Sequence, residues 1–344
     1  MNTEGETPAV SVVVVTYNSA GTVGETLDSL SAQTYDDYEV IVVDGGSSDD
    51  TAAVVAEYDA RWIRADGATI GACRNRGIDA ASGEYVAFTD SDCAVPPEWL
   101  AAHVDRLSSA DDERVIGVGG PNRAFPGDPP FAHLVGSIQG TILGSGGSPQ
   151  SHAIDRVRPV ESVAACNVCY DAAVFERYRF DDEINVGEDA EFHYRLARDG
   201  HRFLFDPDIA VSHHLSATLG AFSRKSRSYG YAMARIQRRH RRVIRWYSGL
   251  PSLAIGGGLL AAGEDLRKRR LRYVPLLVAG FLLSTGYAAL QVYRDKRTPM
   301  ALLVPLLLGI QYLCYGVGFL EGVIAPAGPT TVERPAGPDA PEFD

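Results

Sequence analysis

The stretch Val10-Ser11-Val12-Val13-Val14-Val15-Thr16-Tyr17-Asn18-Ser19 reads as a strand buried on both faces that runs out into a polar loop and cap. Thr22–Gln33 follows with Val23, Leu27 and Leu30 at helical spacing. Tyr38–Val43 is a second apolar strand. It ends in Asp44-Gly45-Gly46-Ser47-Ser48-Asp49-Asp50, which supplies capping residues for a helix from Thr51 to about Tyr58. Trp62–Arg64 is a short third strand, Gly71–Ala81 a helix, and Tyr85–Thr89 a further apolar strand. Strand and helix alternating in this way predict right-handed βαβ units and a Rossmann-like, mainly parallel sheet with flanking helices, an α/β fold. In such sheets the functional loops lie at the C-terminal ends of the strands, where Asn18, Asp44 and Asp90 fall.

Charge divides the chain. Residues 1–220 carry 14 Lys and Arg against 36 Asp and Glu, residues 221–325 carry 17 against 4, and residues 326–344 carry 1 against 4. The acidic part lacks the basic face that nucleic-acid binding requires. Only three lysines occur, Lys225, Lys268 and Lys296, none of them in the acidic part. An Asp-rich, Lys-poor domain reads as that of a halophile, or else as the acidic surface of a GC-rich genome's product. The five cysteines, Cys73, Cys93, Cys166, Cys169 and Cys314, form no disulfide framework, and the lone pair Cys166/Cys169 reads as core packing rather than zinc binding. The N-terminus has no basic, apolar leader pattern, so the acidic domain is expected in the cytoplasm.

Domain boundaries follow the same divide: a catalytic domain over 1–220, a basic amphipathic interface segment over 221–246, a membrane region over 247–325 and a disordered acidic tail over 326–344. Within the membrane region, 273–293 and 298–320 are uncharged and long enough to span a bilayer. Segment 249–263 is shorter and holds Pro251 and Gly256-Gly257-Gly258. If it spanned, the loop 264–272 with five Lys and Arg would lie outside, against the positive-inside tendency, so two to three apolar helices are expected, with 249–263 read as one that spans poorly, re-enters or lies at the interface. Residues 121–159 are rich in Gly and Pro, and Gly144–Pro149 is either a linker or a lid.

The chemistry centres on Thr89-Asp90-Ser91-Asp92. Two carboxylates two residues apart after a strand can share a hard divalent cation bound to diphosphate oxygens. Alone, the same DxD pattern is an acidic turn. Glu188-Asp189 opens a helix and offers a general base, or simply negative charge at a helix N-terminus. Asp44 can accept a hydrogen bond from a base or ribose, or cap its own serine loop. Arg74 is a forked partner for phosphate or carboxylate, or a salt-bridge former in an acid-rich domain. His213 is a candidate metal ligand or an ordinary core histidine.

Taken together, Val10–Asn18, Val42–Thr51, Cys73-Arg74-Asn75-Arg76-Gly77, Gly83–Asp92 and Gly187–Leu196 resemble, in order and spacing, the family 2 inverting glycosyltransferases of GT-A fold, over about residues 8–235. The run Leu219–Arg235 is similar to the succinoglycan-type branch, which also carries C-terminal membrane segments. The resemblance implies that Thr16 and Tyr17 flank the nucleobase, that Asp44 binds it or the ribose, that Asn167 lies near the donor sugar and acceptor, and that Asp90 contacts nucleoside or sugar; Asn18, Arg74 and Asn75 are further candidates for donor binding. It further implies that Asp92 holds Mg2+ or Mn2+ and that Asp189, with Glu188, is the catalytic base. The expected donor is a nucleoside-diphosphate sugar and the expected acceptor a polyprenyl- or dolichyl-linked saccharide at the cell membrane. Two rivals stand beside this: a polyprenyl-phosphate sugar synthase, and a non-catalytic nucleotide-sugar-binding membrane scaffold. Cys73 departs from the family's alanine, and 121–159 matches no family motif.

Overall fold

The computed structural model describes residues 8–146, 148, 154–241 and 248–326. The expected tail beyond Pro326, the end of the basic stretch and part of Gly144–Pro149 lie outside the described residues. Two compact units emerge. The first takes the described chain up to Asp128 and from Ile154 to Leu215; the second takes Pro129 onward and the chain from Ser216.

The first unit begins β1 (Val10–Thr16), α1 (Val23–Ser31), β2 (Tyr38–Asp44), α2 (Thr51–Val55), β3 (Arg61–Arg64), α3 (Ile70–Ala80), β4 (Tyr85–Asp90), β5 (Cys93–Ala94), α4 (Trp99–Ser108), β6 (Val115–Gly119) and β7 (Asn122–Ala124). The chain then supplies α5 (Pro130–Gln139) and α6 (Ile142–Ser145) to the second unit. It continues in the first with β8 (Arg158–Val160), β9 (Val168–Asp171), α7 (Val174–Arg177), α8 (Glu188–Arg198), β10 (Arg202–Phe205) and β11 (Val211–His213).

Eight strands form one sheet in the order β3-β2-β1-β4-β9-β6-β10-β8. β1 pairs in parallel with β2 and β4, whereas β9 and β8 run antiparallel to their neighbours. The valine run of β1 is explained by burial on both faces. Val10, Val12 and Val14 join one apolar layer with Val42, Ala87 and Trp99; Val13 joins the other with Ile41, Phe88 and Phe192. Burying each such side chain is worth about 1.5–3 kcal/mol. α3 lies so close to β1 that a Cβ on Gly77 would strike Val13, which accounts for a glycine at that place in the Cys73–Gly77 run. Chain order reverses between β1 and β4, and a crevice at such a switch point is where open α/β sheets bind ligands. The register sets Thr16 beside Asp44 and Val15 beside Asp90, which brings three loops to this crevice. A second sheet, β5-β11-β7, adds Cys93 opposite His213.

The second unit holds α5, α6, α9 (Leu219–His240), α10 (Leu250–Lys268), α11 (Tyr273–Lys296), a 3-10 turn over Pro299–Leu303, and α12 (Val304–Ile324). Residues 129–146, expected within the first domain, cluster here because Leu134, Val135 and Ile138 of α5 bury against Phe222, Val292, Val304 and Leu307. The basic stretch is a helix packed on a helix. Gly318 and Gly322 of α12 abut the backbone of Arg227 and Tyr231 of α9, and Gly230 abuts that of Tyr315, so the small-residue face of α9 is covered by protein. The triple glycine does not break α10, which runs unbroken to Lys268, and Asp265 then accepts N–H groups of Arg272, Tyr273 and Val274 to cap α11. Among the described residues two helices are long and apolar enough to cross a membrane, Tyr273–Lys296 and Pro299–Ile324, with mean hydropathy 1.6 and 1.9.

Candidate active site

The ends of β1 and β2 form one hydrogen-bonded unit. Asn18, with φ of 52°, donates its N–H to Ser47 Oγ at 2.7 Å and accepts the Ser48 N–H on Oδ1 at 2.8 Å. The fully buried Asp44 accepts the Ser47 N–H at 3.0 Å and the Ser47 hydroxyl at 2.5 Å. Its carboxylate is therefore engaged with its own serine loop. Tyr17 is half-buried. Thr16 Oγ1 and Thr89 Oγ1 are buried and lack a hydrogen-bond partner among the described residues.

Arg74 links the end of β4 to the start of α8. Its NH2 lies 3.0 Å from Asp90 Oδ1, its Nε 3.1 Å from Glu188 Oε1, and its guanidinium faces the rings of Phe88 and Phe180. Burial opposes this charge, but Asp90, Glu188 and Asp189 outweigh it and hold the guanidinium protonated. Burial likewise pushes Glu188 up to about 7, against the pull of Arg74. Gly187 adopts φ of 78° at the helix N-cap, a conformation that suits glycine. The pair that follows divides in role: Glu188 is buried and tied to Arg74, while Asp189 is half-buried and accepts the Ala190 N–H on Oδ1 at 2.6 Å.

Two expected donor-site residues make hydrogen bonds within the protein. Asn167 is fully buried; Oδ1 accepts from Trp99 Nε1 at 2.9 Å, and Nδ2 donates to Ile209 O at 2.7 Å and Pro121 O at 3.3 Å. Asn75 Nδ2 donates to Phe180 O and Asp182 Oδ1, and its Oδ1 accepts the Phe180 N–H. Both amides hold loops in place through these bonds.

At the other pole, Asp92 Oδ2 lies 3.1 Å from His213 Nε2, and both residues are buried. Burial disfavours the imidazolium, yet Asp92 draws the His213 pKa up. Cys93 and Cys166 adjoin the same histidine. A hydrogen bond from Cys93 lowers the Cys166 thiol to about 7, whereas burial lifts that of Cys93. Asp90 and Asp92 supply carboxylates suited to a hard divalent ion, and His213 extends the donor set towards softer first-row metals. The proximity of Cys93 to Cys166 was not legible in the chain, where the only visible pairing was Cys166 with Cys169; the strand alternation of β9 sends Cys169 into the apolar layer instead.

A mainly parallel sheet with its reversal between β1 and β4, carrying an acidic pair at that strand end, defines the GT-A class. The fold matches that of the mannosyltransferase PcManGT from Pyrobaculum calidifontis, solved with GDP-Man and Mn2+, at a TM-score of 0.61 over 93% of this chain and 88% of that one, with 21% identity. Residues 11–136 match the family model described as Glycosyl transferase family 2. It is 41% identical to EpsH of Bacillus subtilis over 113 residues, 31% of this chain and 32% of that protein. It is 29% identical to the succinoglycan biosynthesis protein ExoO of Rhizobium meliloti over 225 residues, 60% of this chain and 61% of ExoO. The chain thus spans from about a third to under two thirds of the length of these relatives.

Proposed function

We propose that this protein is an inverting glycosyltransferase that moves a sugar from a nucleoside-diphosphate sugar to a hydroxyl of a membrane-associated, polyprenyl- or dolichyl-linked saccharide. The observation that carries the reading is the Arg74 bridge, which ties the strand end bearing Asp90 to the helix start bearing Asp189. The likeness to PcManGT, solved with a nucleotide sugar and Mn2+, supports the donor class.

Asp92, with Asp90 and His213, would hold Mn2+ or Mg2+, which supplies positive charge to the donor's diphosphate. Thr16, Tyr17, Asn18 and the Asp44 loop form the nucleoside end. The acceptor oxygen bonds to the anomeric carbon from the face opposite the diphosphate. The carbon–oxygen bond to the diphosphate breaks with its electron pair leaving on that oxygen, and Asp189 takes the acceptor's proton. Glu188 acts by positioning Arg74. Positioning and electrostatics provide most of the acceleration.

The acceptor class rests on the second unit. Leu259, Leu260 and Leu283 are more than two thirds exposed on α10 and α11, Arg267 and Lys268 end α10, and Arg269, Arg270 and Arg272 lie between these helices, a combination suited to anionic lipid. The acid-rich, lysine-poor first unit is read as facing a high-salt cytoplasm. Purified protein is screened for metal-dependent thermal stabilisation by nucleotide sugars, and then assayed as Asp189→Asn. Loss of at least about 100-fold in turnover with the donor-induced shift kept is expected. An Asp189→Asn variant that transfers sugar at the wild-type rate refutes the base assignment.

A further inference from the structure

Cys93, Cys166 and His213 come from β5, the loop before β9, and β11. Their donor atoms all lie within 4.8 Å of one another, and all three residues are buried. Asp92 straddles the group, with Oδ1 3.7 Å from Cys93 Sγ and Oδ2 3.1 Å from His213 Nε2. Asn122 Nδ2 lies 2.9 Å from Cys166 Sγ, an outer hydrogen bond of the kind that orients a ligating sulfur.

Apolar packing does not account for this arrangement. Cys169 belongs to the layer with Val12, Val14 and Trp99, whereas Cys93 and Cys166 share an apolar cluster with Ala164 alone. Asp92, His213 and Asn122 bring polar atoms against these two thiols and the histidine.

We propose that Cys93, Cys166 and His213, closed by Asp92, bind one thiophilic divalent cation, with Zn2+ the ordinary case. Two thiolates, an imidazole and a carboxylate are all zinc ligands, and donors on a tetrahedral ion at about 2.0–2.3 Å stand about 3.3–3.8 Å apart. The separations of 3.1, 3.7 and up to 4.8 Å therefore need a contraction of about 1 Å at the widest to close on an ion. On binding, each thiol releases its proton to solvent as its sulfur bonds the ion, and His213 ligates as the neutral imidazole. One consequence rests on the proposed function: Asp92 and His213 cannot close this site and serve a hard ion at the same time, so Zn2+ opposes Mn2+-supported transfer.

The test uses the full chain, freed of metal and kept reduced with a thiol-free reductant, titrated with Co2+ alone. One Co2+ per chain is expected, with a thiolate-to-cobalt charge-transfer band and a tetrahedral d–d band, both removed by one equivalent of Zn2+. Cys93→Ser and Cys166→Ser should each weaken Co2+ binding at least about tenfold and lose about half of the charge-transfer intensity, while Cys169→Ser keeps both. No sugar donor is involved, so the result is independent of the transferase reading. Absence of the charge-transfer band in folded wild-type protein, or a band unchanged in Cys93→Ser and Cys166→Ser, overturns the proposal. Should the serine variants not fold, X-ray absorption of the Zn2+-loaded wild type decides: two sulfur neighbours at about 2.3 Å uphold the site, and none refutes it.

Discussion

Arg74 Nε stands 3.1 Å from Glu188 Oε1, an ion pair between residues 114 positions apart in which both side chains are under a tenth exposed. Removing one partner of such a pair leaves an uncompensated buried charge, at about 3–5 kcal/mol. Arg74→Ala leaves Glu188 and Asp90 facing each other without a cation and is expected to lower unfolding free energy by up to about that amount, and by less where Glu188 takes up a proton. Arg74→Lys keeps the charge but cannot fork to both carboxylates, so about half of that loss is expected. Urea unfolding followed by circular dichroism measures both. Variants within about 0.5 kcal/mol of wild type would show that the bridge has no structural role.

The same pair has a pH signature. Glu188 sits at about 7 in the folded protein against 4.5 in its ordinary state, with burial as the main cause. The folded state therefore holds more protons than the unfolded one between those values, and the contribution of Glu188 to stability declines as pH rises from about 4.5 through about 7. Glu188→Gln removes the titration and still accepts from Arg74. Its melting temperature should gain on that of wild type between pH 5 and pH 8, with a change in relative stability of at most about 3 kcal/mol. A difference between the two proteins that stays flat across this range would contradict the raised carboxyl.

Asn167 distinguishes a loop-holding amide from a ligand contact. Asn167→Ala leaves Trp99 Nε1 and Ile209 O buried without their partner. At about 1–3 kcal/mol per unpaired group, a loss of about 2–6 kcal/mol is expected for the two. The fraction that remains folded should bind nucleotide sugar as wild type does. Unchanged stability with weakened donor binding would mark Asn167 as a ligand contact.

The first unit was legible because its signals are local. The valines of β1, the serine-rich loop after Asp44 and the carboxylates after β4 each announce their element within a few residues, and βαβ handedness then brings their ends together. The loop-holding bonds of Asn75 and Asn167 were not legible, because an amide can bind either a ligand or a loop and the partners here lie about 40 to 105 positions away. The Cys93–Cys166–His213 group was hidden for the same reason, since it forms only when β5, β11 and the loop before β9 meet. In the second unit, basic residues interleaved with aromatics suggested a helix on a lipid surface. What hydropathy could not register was a row of small residues on α9 and α12 that lets two backbones touch.

That backbone contact yields the last prediction. A Cβ on Gly318 would fall on the backbone of Arg227, and neither helix can yield there by a rotamer change. Gly318→Val must separate α9 from α12, loosening the cluster of Phe222 with Leu307 and Leu308 and pulling Arg227 away from Glu321. The ion pair is largely exposed and contributes little, so most of the loss comes from packing, about 1–3 kcal/mol for an overpacked contact. Gly280 on α11 is the control: its Cβ would meet nothing within 4 Å, and Gly280→Ala should be neutral or stabilising by up to about 1 kcal/mol through helix propensity. Thermal melts of detergent-solubilised protein followed by helix circular dichroism test the contrast. If Gly318→Val and Gly280→Ala melt together with wild type, α9 and α12 are not held in contact, and the apolar face of α12 is then free for lipid.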